Sequence, residues 1–145
     1  MLKIFRFKKW FYISTIKQHK TNNMNTKYNT TKEIIEVIET ERKIAQRQYD
    51  DAFEAIEEGQ IMATGDLMAA KAMLRTTNLL IATIKDNINA DMKQHFDFLY
   101  HELVRSTFNT LSSRNLMNST SNTHNMMALH TITAKASLAE TLFNI

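Results

Sequence analysis

The chain has 145 residues, enough for one domain of ordinary size, and contains no cysteine, no proline and only two glycines. This composition excludes disulfides, thiolate chemistry and cysteine-ligated zinc, and the shortage of turn residues excludes an all-β fold. The net charge of +3 comes from the first twenty residues, which carry six basic and no acidic side chains, whereas the remainder has 12 basic and 15 acidic ones. We therefore do not expect nucleic-acid binding, because the acidic body would be repelled.

Residues 1–29 are predicted to form a basic, aromatic N-terminal arm and a polar linker, both poorly ordered. The apolar runs are too short for a secretory signal or a transmembrane helix, so cytoplasmic localisation is the default. An organelle transit peptide is an alternative, as is a start at Met24, with residues 1–23 upstream of it. The arm also has the composition of a segment that binds an anionic membrane surface. The residues assigned to that role are Lys3, Arg6, Lys9, Trp10 and Lys17.

The first helix is predicted over residues 31–58. Thr30 and Glu33 match the capping box that begins many helices, and Gly59 is placed to end the helix in the left-handed conformation. Apolar residues recur at steps of three and four between these limits, as in an amphipathic helix. The last two turns are acidic and have no basic neighbour. That stretch is either a docking patch for a basic partner, including the chain's own N-terminal arm, or a solvated face.

A second helix is predicted over residues 66–111, which contain neither glycine nor proline. The short connection between the helices has glycine at both ends, and Thr64 or Asp66 is expected to cap the second helix. Because such connections join antiparallel neighbours, residues 30–111 should form a long hairpin. The second helix would be ~69 Å long and the first ~42 Å, so its end would overhang.

The overhang is the predicted partner-binding surface, because leaving large apolar side chains in water forfeits about 1.5–3 kcal/mol each. Its residues are Phe96, Leu99, Leu103, Phe108 and Leu111. After a polar linker at 112–126, a C-terminal helix at 127–145 could fold back over this end. The predicted fold is therefore all-α, an elongated, coiled-coil-like antiparallel hairpin with a third helix packed on the overhanging end. Self-association, with a second copy covering the overhang, is the alternative.

One constellation suggests metal chemistry. Asp91, His95 and Glu102 fall on nearly one face of a helix, and carboxylate and imidazole groups bind zinc and similar cations. These are weak candidates, since a full site needs ligands from a second helix and Asp–His pairs are usual on helix surfaces. No phosphate-binding glycine loop or nucleophile turn is present, so no cofactor or small-molecule substrate is expected.

The sequence thus favours a non-enzymatic helical interaction protein that binds a protein partner or itself. In layout, a hairpin with a glycine-flanked turn looks like small subunits and chaperones of secretion machines and phage particles, although no diagnostic motif accompanies the likeness. The alternatives are a peripheral membrane-surface protein anchored by the N-terminal arm and a metal-binding helical protein.

Overall fold

The computed structural model describes residues 28–107 and 122–144, and within these ranges the chain is helical without any strand. Four helices follow in order: α1 (Thr31–Glu57), α2 (Thr64–Asp86), α3 (Met92–Tyr100) and α4 (Asn122–Phe143). Helices α1 and α2 form an antiparallel hairpin, and α4 packs on α2 and on the π-helical turn His101–Arg105 that continues α3. The predicted all-α fold, a hairpin with a packing C-terminal helix, is confirmed.

Helix α1 begins and ends close to the predicted positions. The Thr30 hydroxyl accepts a hydrogen bond from the Glu33 amide at 3.3 Å, whereas the Glu33 carboxylate accepts from the Asn29 amide, not that of Thr30. At the other end Gly59 has φ +92°. Its amide donates to the Ile56 carbonyl and the Gln60 amide donates to the Ala55 carbonyl, both at 2.9 Å. This pair of bonds is the Schellman motif, which satisfies the last carbonyls of the helix.

The start of α2 differs from the prediction. A 3-10 turn at Ile61–Ala63 leads directly into the helix at Thr64, and no side chain caps it. The Thr64 hydroxyl donates to the Ile61 carbonyl at 2.7 Å, while Asp66 lies in the first helical turn. The turn's own backbone bonds and the negative charge of Asp66 near the positive end of the helix dipole replace the expected cap.

The hairpin seam includes buried residues that recur at seven-residue spacing on each helix. They are Ile38, Ala45 and Ala52 on α1, and Ala70, Thr77 and Ile84 on α2. Each α1 member has an α2 counterpart at the same sequence distance from Ile61, as antiparallel pairing in register requires. Alanine and threonine side chains in the half nearest the turn allow a close approach of the two helices, whereas the isoleucines occupy more volume at the other end.

The second predicted helix is not continuous, which is the main correction to the sequence analysis. Helix α2 ends at Asp86, and the Asn87 side chain donates to the Thr83 carbonyl at 2.9 Å. Asp91 then begins α3 with a complete capping box: its carboxylate accepts from the Gln94 amide at 2.8 Å and its amide donates to the Gln94 side chain at 3.0 Å. Asparagine and aspartate side chains compete with helical backbone bonds in this way.

The break removes the overhang. At 27 and 23 residues, α1 and α2 are ~40 Å and ~35 Å long, so they nearly match. Helix α3 contributes its apolar side to a core at the end of the bundle far from the turn. The core combines residues from all four helices: Ile34, Ile38, Leu80, Ile84, Leu99, Leu103, Leu138 and Leu142. Ile88 lies in the break and is 56% exposed.

Candidate partner-binding surface

The surface predicted to bind a partner is used by the chain itself. Leu99 and Leu103 are 0% exposed and belong to the core, and Phe96 packs against it. Phe108 and Leu111 lie outside the described residues. Phe143 at the end of α4 contacts Phe96 and Tyr100 of α3. The predicted partner-binding surface depended on exposed apolar side chains, and Leu99 and Leu103 are not exposed.

The candidate metal ligands are held in other roles. The Asp91 carboxylate caps α3, and Glu102 lies in the π-helical turn. The His95 side chain is buried, and its Nε2 atom has no hydrogen-bond partner among the described residues. Among the described residues, no group of three or more histidine, aspartate or glutamate side chains is placed to hold a metal ion. The structure therefore does not bring Asp91, His95 and Glu102 together as a ligand set.

The residues assigned to an anionic membrane surface lie outside the described ranges, and that assignment stays a prediction. Lys3, Arg6, Lys9, Trp10 and Lys17 all precede residue 28, the first that the structure describes. No helix in the described ranges has the length and apolar content needed to cross a bilayer.

Among the described residues, the two large apolar side chains with the highest exposed fractions are neighbours at the turn of the hairpin. We define the hairpin tip as residues 49–68. Within it Met62 is 95% exposed and Ile61 is 79% exposed, both on the 3-10 turn. Phe53, 47% exposed, stacks on Tyr49 at 6.3 Å between ring centroids. The hairpin tip thus presents isoleucine, methionine and aromatic surface to solvent.

The hairpin tip is also the most acidic part of the described chain. It holds six exposed carboxylates and no basic residue, and the sequence from 48 to 70 adds no base. The six are Asp50, Asp51, Glu54, Glu57, Glu58 and Asp66. Elsewhere on α1 acidic groups are partly compensated, since Lys32 lies 3.9 Å from Glu36 and Lys85 lies 3.6 Å from Glu39. Neither of these ion pairs involves the hairpin tip.

A concave feature lies beside the start of α1. It is an open groove of about 380 Å³ lined by Tyr28, Glu33, Glu36, Val37 and Thr40. Its carboxylates already have local partners, because Glu33 accepts from the Asn29 amide and Glu36 pairs with Lys32. The groove therefore has fewer carboxylates outside ion pairs than the hairpin tip, and Val37 is the one aliphatic residue in its lining.

The acidic end of α1 is evident in the sequence, whereas the exposed apolar side chains of Ile61 and Met62 beside it are not predicted. A usable signal was present: Ile61 and Met62 fall between two glycines and outside both helical seams, so neither seam can bury them. The length of the segment 59–65 is typical of a connection between antiparallel helices, so the sequence predicts a connecting turn and not a binding surface. No protein-family model, curated protein or solved structure matches this chain.

Proposed function

We propose that this protein is a non-enzymatic interaction protein, an adaptor or structural subunit of a larger assembly, and that it binds its partner through the hairpin tip. The observation that supports this proposal is the exposure of Ile61 and Met62, at 79% and 95%. Covering two such side chains would contribute about 1.5–3 kcal/mol each. Clusters of exposed apolar side chains rimmed by charge are typical of protein interaction sites.

The backbone around these side chains is well ordered by local bonds. The Schellman bonds of Gly59 and Gln60 precede the turn, the Ala63 amide donates to the Gln60 carbonyl at 3.1 Å, and Thr64 closes the turn onto Ile61. A preformed surface loses less conformational entropy on binding than a loop that must be ordered first. The hairpin tip is therefore suited to present apolar side chains in a fixed arrangement.

The charge of the hairpin tip defines the chemistry of the partner. Six carboxylates without a cation attract a segment that carries lysine or arginine together with apolar or aromatic residues. Complementary charge raises the association rate and disfavours acidic competitors, while the apolar contacts supply most of the affinity. A basic, amphipathic peptide segment fits both requirements.

Site-specific photo-crosslinking in the full-length chain tests this function. A photoreactive phenylalanine analogue replaces Met62 in one variant and Ile88 in the matched control, which is also exposed and apolar but lies in the break at the other end of α2. We expect a discrete crosslinked product with a protein from the native source at Met62 and not at Ile88. Glu54→Lys with Glu57→Lys should abolish it. Equal products at the two positions would contradict the proposal, as would the absence of a product at Met62 both in this chain and in one with Lys8→Glu and Lys9→Glu, whose N-terminal arm has less charge with which to compete for the hairpin tip.

A further inference from the structure

The hairpin tip has a candidate occupant within the same chain. We propose that residues 1–20, the N-terminal arm, bind the apolar surface of the hairpin tip in cis and cover it. This inference deepens the proposed function, on which it rests, because it assumes that the exposed apolar side chains form a binding surface. It commits to the chain's own arm because the arm has the chemistry that the surface requires.

Charge complementarity supports this assignment. The arm carries six cations and no acid, and the hairpin tip carries six carboxylates and no cation. The arm also supplies apolar surface for Ile61 and Met62 to contact, in the stretch from Phe5 to Tyr12, where Phe, Trp and Tyr side chains alternate with lysine and arginine. Aromatic and methionine side chains pack favourably, and cations near carboxylates complete the match.

The connecting chain is long enough. The hairpin tip lies ~40 Å from the start of α1, the length of a 27-residue helix. Ser14 is separated from Tyr28 by a stretch that can span about 46–50 Å when extended, so Ser14 and every residue before it can reach the hairpin tip. The aromatic stretch then has slack to lie over Ile61 and Met62.

Other positions on the described surface fit the arm less well. The groove beside Tyr28 is nearer in sequence, but its carboxylates already have partners and its apolar lining is small. Leu79 and Leu129 are also exposed, but neither has an aspartate or glutamate within four residues in sequence, so a basic arm would find no nearby carboxylate there. Among the described residues, the hairpin tip alone combines a cluster of six carboxylates outside any ion pair, of which Asp50 accepts a hydrogen bond from the Gln46 side chain at 3.0 Å, with apolar side chains that are more than three-quarters exposed.

Paired spin labels in the full-length chain test this inference directly. Because the chain has no cysteine, labels can be placed without removing a native residue of that type. One pair joins Ser14→Cys to Gln60→Cys at the hairpin tip, and the matched pair joins Ser14→Cys to Asn89→Cys at the opposite end of the hairpin. A tether this long with no binding partner would have a root-mean-square extent of about 20 Å and would keep Ser14 closer to Asn89.

We expect the opposite order of distances, with the Ser14–Gln60 distance shorter than the Ser14–Asn89 distance. Glu57→Lys with Glu58→Lys should reverse the order, and adding Lys8→Glu with Lys9→Glu should restore it. At about 1 M salt, where the screening length falls to roughly 3 Å, the short distance should be depleted. Ser14 lying nearer Asn89 in the unaltered chain at low salt would overturn the proposal.

Two further measurements separate the alternatives. Dilution of labelled chain into excess unlabelled chain should leave the Ser14–Gln60 signal unchanged, and its loss would show that the arm comes from a second copy, against the cis assignment. The short distance could also be absent while the arm becomes immobilised only when phosphatidylcholine vesicles containing phosphatidylserine are added. That result would overturn the cis proposal in favour of membrane binding. Photo-crosslinking at Met62 in the Lys8→Glu, Lys9→Glu chain reports on the proposed function independently of the arm.

Discussion

The phenol of Tyr28 donates a hydrogen bond to the backbone carbonyl of Thr141 at 3.4 Å, joining positions 113 residues apart. The same region contains a run of ring contacts. Phe96 lies 6.2 Å from Tyr28 and 5.7 Å from Phe143 between centroids, and Phe143 in turn lies 5.7 Å from Tyr100. These four rings, the aromatic clasp, connect the start of α1 to α3 and to the end of α4. The clasp thus closes the core end of the bundle.

Removal of the central ring should destabilise the fold strongly. Phe143 is buried and contacts two other rings at edge-to-face angles of 65° and 77°. We expect Phe143→Ala to lower the free energy of unfolding by about 3–5 kcal/mol, through lost burial and the cavity that remains. Urea titration followed by circular dichroism measures this change.

The matched control for the clasp is Phe53→Ala, the same substitution at a ring that is 47% exposed and lies in the hairpin tip. It should lower the free energy of unfolding by about 0.8–1.5 kcal/mol, clearly less than Phe143→Ala, because about half of the ring stays in water in the folded state. Equal losses in the two variants would contradict the description of the aromatic clasp as part of the core.

Local sequence signals were sufficient to predict the buried face of α1 and both of its ends. Three- and four-residue spacing of apolar residues predicts an inward-facing stripe on α1, where the structure buries Ile38 and Ala45, because burial of a helical stripe depends only on period. The Thr30 and Gly59 helix ends were predicted because each has a local chemical cause. The capping-box pattern at Thr30 recurs as Asp91 followed by Gln94, but the apolar residues on either side of Asp91 predict one continuous helix.

The hairpin tip could be predicted only in part. The acidic end of α1 is evident from composition, but the exposure of Ile61 and Met62 depends on the three-dimensional path of the turn, which directs both away from the seam. Similarly, whether Leu99 and Leu103 meet another protein or α4 depends on the direction of α3 after the break. Apolar periodicity predicts that a residue is buried and does not predict which segment covers it.

The two glycines should respond in opposite directions to the same substitution. An added Cβ meets no atom within 4 Å at either position, so only backbone conformation distinguishes them. Gly59, at φ +92°, should lose about 1–2 kcal/mol as Gly59→Ala, because an L side chain disfavours that region. Gly65 lies within α2, and Gly65→Ala should gain about 0.5–1 kcal/mol. Thermal or urea unfolding distinguishes the signs, and a gain at Gly59 would contradict the Schellman ending.

The cap of α3 should contribute measurably to stability although Asp91 is exposed. We expect Asp91→Ala to lower the free energy of unfolding by about 1 kcal/mol and Asp91→Asn to retain most of it, since asparagine caps helices equally well. Asp86→Ala, an exposed aspartate at the end of α2, is the control and should have little effect. If Asp91→Ala and Asp86→Ala behave alike in urea titration, the break is not defined by this cap.

Replacement of the buried His95 tests whether its unpaired atom serves the fold. Within the part of the chain that the structure describes, the buried Nε2 atom of His95 has no hydrogen-bond partner, and an unsatisfied buried polar atom is destabilising. Leucine has a similar volume and no polar atom, so His95→Leu should leave the free energy of unfolding unchanged or raise it by up to about 2 kcal/mol. Leu99→Ala, in the same helix, should lose about 2–5 kcal/mol. A loss above about 1 kcal/mol in His95→Leu would indicate that Nε2 is engaged by residues outside the described ranges.

Stability at alkaline pH should depend on Tyr100. Burial raises the pKa of the Tyr100 phenol above its ordinary value of 10.0, and the nearby Arg105 partly opposes that rise. The folded state therefore keeps the phenol proton at pH values where the unfolded state releases it. The unfolded state then binds fewer protons than the folded state. Stability that is fully present below pH 10.0 is therefore lost as the pH rises through the raised pKa of the folded state.

Tyr100→Phe removes this phenol, so the free energy of unfolding of the variant should fall less steeply above pH 10.0 than that of the unaltered chain. Urea titrations at several pH values on either side of 10.0 measure the two slopes, and parallel slopes would contradict the raised pKa.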